Sequence, residues 1–352
     1  MTPGHAPPEG SPPEGITTED ARRRRDFLRR LHRWFVTEGR HDLPWQRDRR
    51  AYAVWVSEIM LQQTTVDTVR RYYTPFMRRF PTVRSLARAE LDEVLRVWSG
   101  LGYYRRAHHL HEAARRVVEH HGGRFPRTLE GLLELPGIGR STAGAVLSLA
   151  YDRPAVVLDT NVRRVLERYW REALRRRGNA ERALWELAAW LLPSSGGRSH
   201  TQGLMDLGAL VCRPRSPLCP RCPLVKSCPG PREAVPRMRS ARGTRRLVLL
   251  YRRDRHGRIF LVRRPAHGIW AGFWCLPERG EGPPGETRSL LTRRHTLSHL
   301  ELEIRIVTES PGSGRLPRAG VWTTEPMRER LAIPPVVREM LESLPPRVPG
   351  KT

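Results

Sequence analysis

The sequence predicts three parts in series: an all-α domain, a short metal-bearing appendage and a smaller α+β domain. Three observations predict it. Apolar residues recur at helical spacing from Phe27 to about Trp190, with no long alternating run among them. Four of the five cysteines fall between residues 212 and 228. Past a stretch of linker composition, 229–243, the apolar period changes to two.

Taken in order, residues 1–20 are rich in Pro, Gly and Glu and are expected to form a disordered tail. Residues 21–211 form the helical domain, its periodicity setting in at Asp26 with Phe27, Leu31, Trp34 and Phe35. A last helix starting near Ser199 leads into the cysteine loop, 212–228. Residues 244–352 make the final domain. There Arg246–Tyr251 and Arg258–Val262 are short apolar runs joined by Asp254–Gly257, a hairpin signature. Leu300–Val307 alternates as a strand, and the chain from Thr324 reads as helical.

Charge narrows the function. Lys and Arg total 63 against 36 Asp and Glu, a net charge of +27, and all but Lys226 and Lys351 are arginines. A GC-rich genome favours Arg codons but does not explain the excess of positive charge. A polyanionic partner does, because each neutralised phosphate releases counterions. No apolar run is long enough to span a membrane, and the amino terminus lacks a secretory pattern, so a cytoplasmic address is expected. Clustered cysteines are not a secreted disulfide framework, which spreads its pairs along the chain.

Four constellations carry chemistry. Cys212-x6-Cys219-x2-Cys222-x5-Cys228 places four thiols within 17 residues, enough for one metal centre. A zinc ribbon wants two CxxC pairs and only Cys219/Cys222 makes one, which favours iron–sulfur over zinc. Cys275 stands apart as a small core residue. Leu135-Pro-Gly-Ile-Gly-Arg-Ser-Thr142 precedes an apolar helix; Gly137 and Gly139 permit a sharp turn whose helix N-terminus suits a phosphate, or simply turns the chain. Glu58 has Val54, Trp55 and Leu61 one helical turn away, and no Lys or Arg lies between Arg50 and Arg70. A carboxyl without a cationic partner among apolar neighbours keeps its proton near neutrality, as a general acid does, or else belongs to a helix face that simply reaches solvent, the commoner case for a lone glutamate. Asp159, closing the apolar run Val156–Leu158, reads as a helix N-cap whose second oxygen is free for a site.

In this order the motifs resemble the helix-hairpin-helix glycosylase superfamily and, within it, the MutY-type adenine DNA glycosylases. Leu43–Gln46 (LPWQ), residues 57–64 (SEIMLQQT), Gly100–Arg105, the hairpin, Leu158–Val162, Met205–Gly208 and the four cysteines carry the resemblance. It implies a helix-hairpin-helix glycosylase domain with a [4Fe-4S] cluster loop, followed by a Nudix-like domain that reads 8-oxoguanine. The implied activity is monofunctional: adenine opposite 8-oxoguanine or guanine in double-stranded DNA is flipped out and hydrolysed from its sugar. By resemblance Glu58 protonates adenine, Asp159 stabilises the oxocarbenium-like sugar and Asn161 orients the site. Trp45, Gln46, Leu61 and Asp206 match the adenine pocket, and Gln63 and Tyr103 match residues that enter the duplex. Ser141 stands where lyase relatives carry a Schiff-base lysine, and no lysine occurs between residues 1 and 225. Leu297, Ser298 and His299 match the lesion-reading loop, with Leu297 in place of the usual Phe and Thr160 where many members have glycine. No glutamate-rich Nudix helix follows Cys275, so no hydrolysis is expected there. A nucleoid-associated monomer completes the expectation.

Overall fold

The computed structural model describes residues 13, 16–177, 179–230, 243–279, 287–297, 300–309, 317 and 319–344. These pack as two units: residues 16–87 with 112–230, and residues 88–111 with 243–344. Most of the expected tail, residues 1–12 with 14 and 15, lies outside the described residues, as do linker residues 231–242 and the loop residues Ser298 and His299.

The first unit is helical. It opens with α1 (Thr18–Glu38), α2 (Pro44–Arg47), α3 (Ala51–Leu61), α4 (Val66–Arg79) and α5 (Val83–Arg88). Helix α6 (Leu91–Trp98) and the first part of the long α7 (Arg105–His121) belong to the second unit; the rest of α7 leads back in the first unit to α8 (Leu129–Leu133) and α9 (Arg140–Tyr151). Then come α10 (Thr160–Tyr169), α11 (Arg171–Arg175), α12 (Ala180–Trp190) and α13 (Gly197–Asp206). A π-helical turn, Leu207–Val211, continues α13 into the cysteine loop.

The expected tail is overrun by α1, which starts eight residues before Asp26. Thr17 is the reason: its hydroxyl accepts the Asp20 N–H at 3.1 Å, and the Asp20 carboxylate accepts the Thr17 N–H at 3.0 Å. This reciprocal box fixes the first turn. Arg22 to Arg25 hide the apolar period there, yet two of them are structural: Arg23 donates to the Tyr169 and Ser227 carbonyls, and Arg24 to those of Trp190 and Leu192. The apolar stripe of α1, Phe27 to Phe35, packs into one core with Leu158, Val162 and Leu166 of the α10 region and Leu204 of α13.

Between α8 and α9 the chain turns at Gly137, whose φ of +76° a side chain would resist. No side chain caps α9. Gly144 brings α9 against the strand-like segment before α10, where a Cβ would overlap the Val156 carbonyl.

The second unit holds two three-stranded sheets. β1 (Gly243–Leu250) runs parallel to β5 (Leu300–Glu309), which pairs antiparallel with β4 (Thr287–Thr296). β2 (Ile259–Arg263) lies between β3 (Trp274–Cys275) and β6 (Gly320–Thr323), antiparallel to both. The expected hairpin between the first two apolar runs is corrected. Asp254–Gly257 does turn the chain, with Gly257 at φ +78°, but only Arg253 and Ile259 bridge before the strands diverge into different sheets. The alternating face of β5 buries Leu302, Ile304 and Ile306, which draws β1 onto β5 and away from β2. Helices α14 (Glu325–Arg330) and α15 (Pro335–Glu342) end the unit, and Cys275 is fully buried. Among the described residues no helix is long and apolar enough to cross a membrane.

Gly144→Ala is expected to lower unfolding free energy by about 1–3 kcal/mol, the range for overpacking, in urea titrations; an unchanged midpoint would refute the close approach of α9 to Val156.

Candidate active site

Helix α3 is buried almost all round. Every residue from Tyr52 to Met60 is buried except Glu58, which keeps partial exposure. Among the described residues no hydrogen bond or ion pair engages its carboxyl. Burial pushes the Glu58 pKa up to about 8, and the nearby charge of Asp159 adds to the shift. At neutral pH Glu58 therefore holds its proton.

Asp159 caps α10, and the cap and site readings of this residue turn out to be compatible. Its Oδ1 accepts the backbone N–H groups of Asn161 (2.9 Å) and Val162 (2.7 Å). Its Oδ2 accepts only the Asn161 side-chain amide, at 3.3 Å. Burial raises the Asp159 pKa, while these donors and the Arg164 charge pull it down by favouring the ionised form. The two carboxyls thus lie near enough to interact electrostatically and differ in their donors: among the described residues Glu58 has none and Asp159 accepts three N–H bonds.

Asn161 is itself fixed. Its Oδ1 accepts from Arg164 at 2.7 Å, and Gly208 of the π-helical turn packs against its Cβ and backbone so closely that a side chain there would collide. Ser141, second residue of α9, accepts the Leu158 N–H at 3.1 Å and so ties the hairpin helix to the residue preceding Asp159. From the same end of α9, Thr142 accepts from Gln62 at 3.3 Å. Gln63 follows, exposed and in the left-handed region at φ +57°, unusual for a residue with a side chain.

The remaining residues singled out by sequence are placed differently. Trp45 is buried with its ring edge-on to Tyr73 at 5.6 Å. Gln46 uses both ends of its amide locally, accepting from Leu43 N–H and donating to the Arg40 carbonyl. Asp206 is fully buried and accepts from the Arg40 backbone and guanidinium and from Gln202. Gln46 and Asp206 thus converge on Arg40. Leu61 ends α3, partly exposed. In the second unit Tyr103 is 38% exposed, and Leu297 is partly exposed with its N–H donated to the Leu300 carbonyl.

The four cysteines are free thiols, all partly exposed. They lie close enough that burial, then the proximity of Cys212, Cys228 and Cys219, pushes the Cys222 thiol up to about 11. Among the described residues no three or more His, Cys, Asp or Glu side chains converge tightly enough for a single metal ion. Arginines fasten the loop: Arg168 donates to the Cys212 Sγ at 3.3 Å and to the Arg213 carbonyl, Arg171 to Gly230, and Arg23 to Ser227.

Sequence reasoning missed Arg164. Its guanidinium donates to Asn161 Oδ1 and the Gly208 carbonyl, both at 2.7 Å, to the Cys212 carbonyl at 2.7 Å, and to Thr160 O at 3.1 Å. One side chain therefore links the Asp159–Asn161 pair to the cysteine loop. The available signal was its position, one turn past Asn161 and one turn before Arg168 on the same face.

Family models match both units of this architecture. That of the HhH-GPD superfamily of base excision DNA repair proteins covers residues 56–189, and that of the NUDIX domain residues 247–343. An adenine DNA glycosylase of Buchnera aphidicola (subsp. Baizongia pistaciae) is 36% identical over 266 residues, 72% of this chain and 73% of that protein. The adenine DNA glycosylase of Buchnera aphidicola (subsp. Schizaphis graminum) is 43% identical over 203 residues; the match covers 57% of this chain and spans only 58% of that relative's length. A solved thermostable thymine-DNA glycosylase superposes with a TM-score of 0.55 at 33% identity, over 59% of this chain and 96% of its own. The chain belongs to the adenine DNA glycosylase family of the HhH-GPD superfamily.

Arg164→Lys keeps the charge but not the planar fork. It is expected to cost about 1–3 kcal/mol of stability, the worth of charge-assisted hydrogen bonds lost, and to speed amide exchange in 207–214 ahead of the rest of the helical unit. Unaltered exchange there would show that the link carries no load.

Proposed function

We propose that this chain is a monofunctional adenine DNA glycosylase that hydrolyses the N-glycosidic bond of adenine opposite 8-oxoguanine or guanine in double-stranded DNA. One observation carries the reading: Glu58, a buried carboxyl whose pKa is pushed up to about 8, interacts electrostatically with Asp159, whose carboxylate accepts three N–H bonds that favour its charged form against the effect of burial. Environments that split a carboxyl pair in this way assign acid and stabiliser.

In the reaction the adenine leaves the duplex, since its glycosidic bond is out of reach in the stack. Glu58 donates its proton to N7, and the electrons of the C1′–N9 bond move onto the base. The sugar is left with oxocarbenium character, which the Asp159 carboxylate offsets from its less-donated Oδ2. A water adds at C1′, and the ionised Glu58 is available to take its proton, which restores the acid. Asn161 and Arg164 hold Asp159 at its angle.

The hairpin supports the monofunctional reading. A lysine in place of Ser141 would offer a Schiff-base amine; the serine hydroxyl instead accepts the Leu158 N–H. Uncapped N–H groups at the start of α9, after Gly137 and Gly139, suit a backbone phosphate. The left-handed, exposed Gln63 suits insertion beside the mispair.

The cysteine loop fits a [4Fe-4S] cluster held by Cys212, Cys219, Cys222 and Cys228. Four clustered thiols with one driven up to about 11 need cationic charge to become thiolates, and the loop has no disulfide to compete. Such a cluster would supply cross-links, with Cys212, Cys219, Cys222 and Cys228 as the residues that would hold it and so close the loop.

Residues 244–352 are assigned the lesion preference. 8-Oxoguanine differs from guanine by an N7–H donor and an O8 acceptor, and the hydroxyl of Ser298 and imidazole of His299 pair with either. Leu297 supplies apolar contact without an aromatic face.

Glu58→Gln is expected to abolish single-turnover excision while mispair affinity stays within about tenfold, since phosphate contacts carry the affinity; retention of more than a few per cent of the rate would remove Glu58 from the role. Because the acid form of Glu58 and the charged form of Asp159 are the active ones, the wild-type rate should fall as pH rises through about 8 and fall again in acid as Asp159 takes up a proton. Wild type should give no borohydride-trapped DNA complex, and iron analysis should find about four irons per chain, as a four-thiolate cubane requires. Zinc at one per chain would overturn the cluster assignment.

A further inference from the structure

The second unit holds an arrangement that the excision chemistry does not use. The turn between α6 and α7 displays Tyr103 to solvent with φ at +48°, between Gly100 and Gly102 at +94° and +77° and the start of α7. A tyrosine in the left-handed region persists only where its surroundings over-determine it. Part of that support is local: Trp98 Nε1 and the Arg106 guanidinium both donate to the Gly102 carbonyl, at 3.1 and 3.2 Å, and Arg106 lies over the Tyr103 ring.

The rest comes from far along the chain, from residues 264–274. Phe273 packs tilted against Tyr104 with ring centroids 4.3 Å apart. The His108 ring nitrogen is 3.0 Å from the Ala271 carbonyl, and Gly272, at φ +74°, leaves room for that imidazole which any side chain would take away. Trp274 Nε1 donates to one oxygen of Asp92 at 3.2 Å, and Arg263 reaches the other at 3.3 Å. The loop is stiff enough to act as a support. Arg264 N–H donates to Phe273, Gly272 N–H to Pro265, Phe273 N–H to Trp270, and the Arg264 guanidinium to Ile269 and Glu278. At its other side Trp270, buried at φ +53°, faces the His295 ring of β4, two residues before Leu297.

We infer that the 264–274 loop is a clasp that positions Tyr103, gripping α6 through Asp92 and the following turn and α7 through Tyr104 and His108, while bracing the end of β4 at His295. The Tyr103 turn and the end of β4, distant in sequence, thereby share one rigid support. Asp92, Tyr104, His108, Phe273 and Trp274 are positioning residues; none is expected to touch a base. The consequence for DNA rests on the reading of Tyr103 as a duplex contact, whereas the clasp itself does not.

The test uses the full chain. Trp274→Phe keeps the ring and removes the N–H, and Asp92→Asn removes the charge that Arg263 and Trp274 share. In the free protein each is expected to speed amide exchange across 98–106 by about tenfold, the loss of one hydrogen bond to a charged group, with α9 unchanged. On duplex carrying 2-aminopurine beside the mispair, both variants should give a smaller fluorescence rise on binding than wild type, and Trp274→Phe should add nothing to Tyr103→Ala. Unchanged exchange across 98–106 in both variants overturns the clasp, and so does a uniform rise throughout the second unit, which would mark ordinary packing. If exchange rises as expected but Tyr103→Ala leaves the fluorescence unaltered, the clasp stands and the duplex contact of Tyr103 is refuted.

Discussion

The start of α10 is the constraint from which the site is hung. A helix begins with N–H groups that its own backbone cannot satisfy, and Asp159 answers two of them with one oxygen. That leaves a second oxygen which, among the described residues, only the Asn161 amide engages, on a carboxylate whose charge is felt by Glu58. Everything nearby holds this one turn: Ser141 through Leu158, Gly144 through Val156, Gly208 through Asn161, and Arg164 through three carbonyls and an amide. An N-cap ordinarily contributes about 1 kcal/mol; here the same bonds also favour the charged form of Asp159 against burial, which Glu58, among the described residues, has no donor to resist.

The arrangement is notable in so basic a chain. With net charge +27, most carboxylates find a guanidinium, and several are drawn below their usual range by one, as Arg30 does to Asp26 and Arg163 to Glu181. Glu58 escapes because α3 carries no cation and is enclosed by apolar side chains. Arg164, Arg168, Arg171 and Arg23 all donate to backbone carbonyls of the cysteine loop or its flanks, which anchors the loop.

Much of this was legible in the sequence, for physical reasons. The helical period of α1, α3 and α10 and the change of period after the linker follow from which faces must be buried. Glu58 was visible as an absence, a cation-free stretch around one carboxylate, and Asp159 as a cap. What local pattern did not reveal depended on pairing at a distance. The Thr17–Asp20 box lies under a run of arginines, so α1 starts earlier than its apolar period. β1 and β2 flank a true turn but are claimed by different sheets, because β5 offers β1 a longer ladder. Arg164 looks like any surface arginine until Gly208 and Cys212 are brought to it. Trp45, Gln46 and Asp206 match a family pocket by motif, while their described contacts are with Tyr73 and Arg40.

The central claim is that Glu58 is a neutral acid at physiological pH because of where α3 puts it. Infrared difference spectroscopy of wild type against Glu58→Gln measures this directly through the carboxylic C=O stretch. The account predicts a protonated-carboxyl band at pH 7 that disappears with a midpoint near 8. A Glu58 already ionised below pH 6 would contradict it.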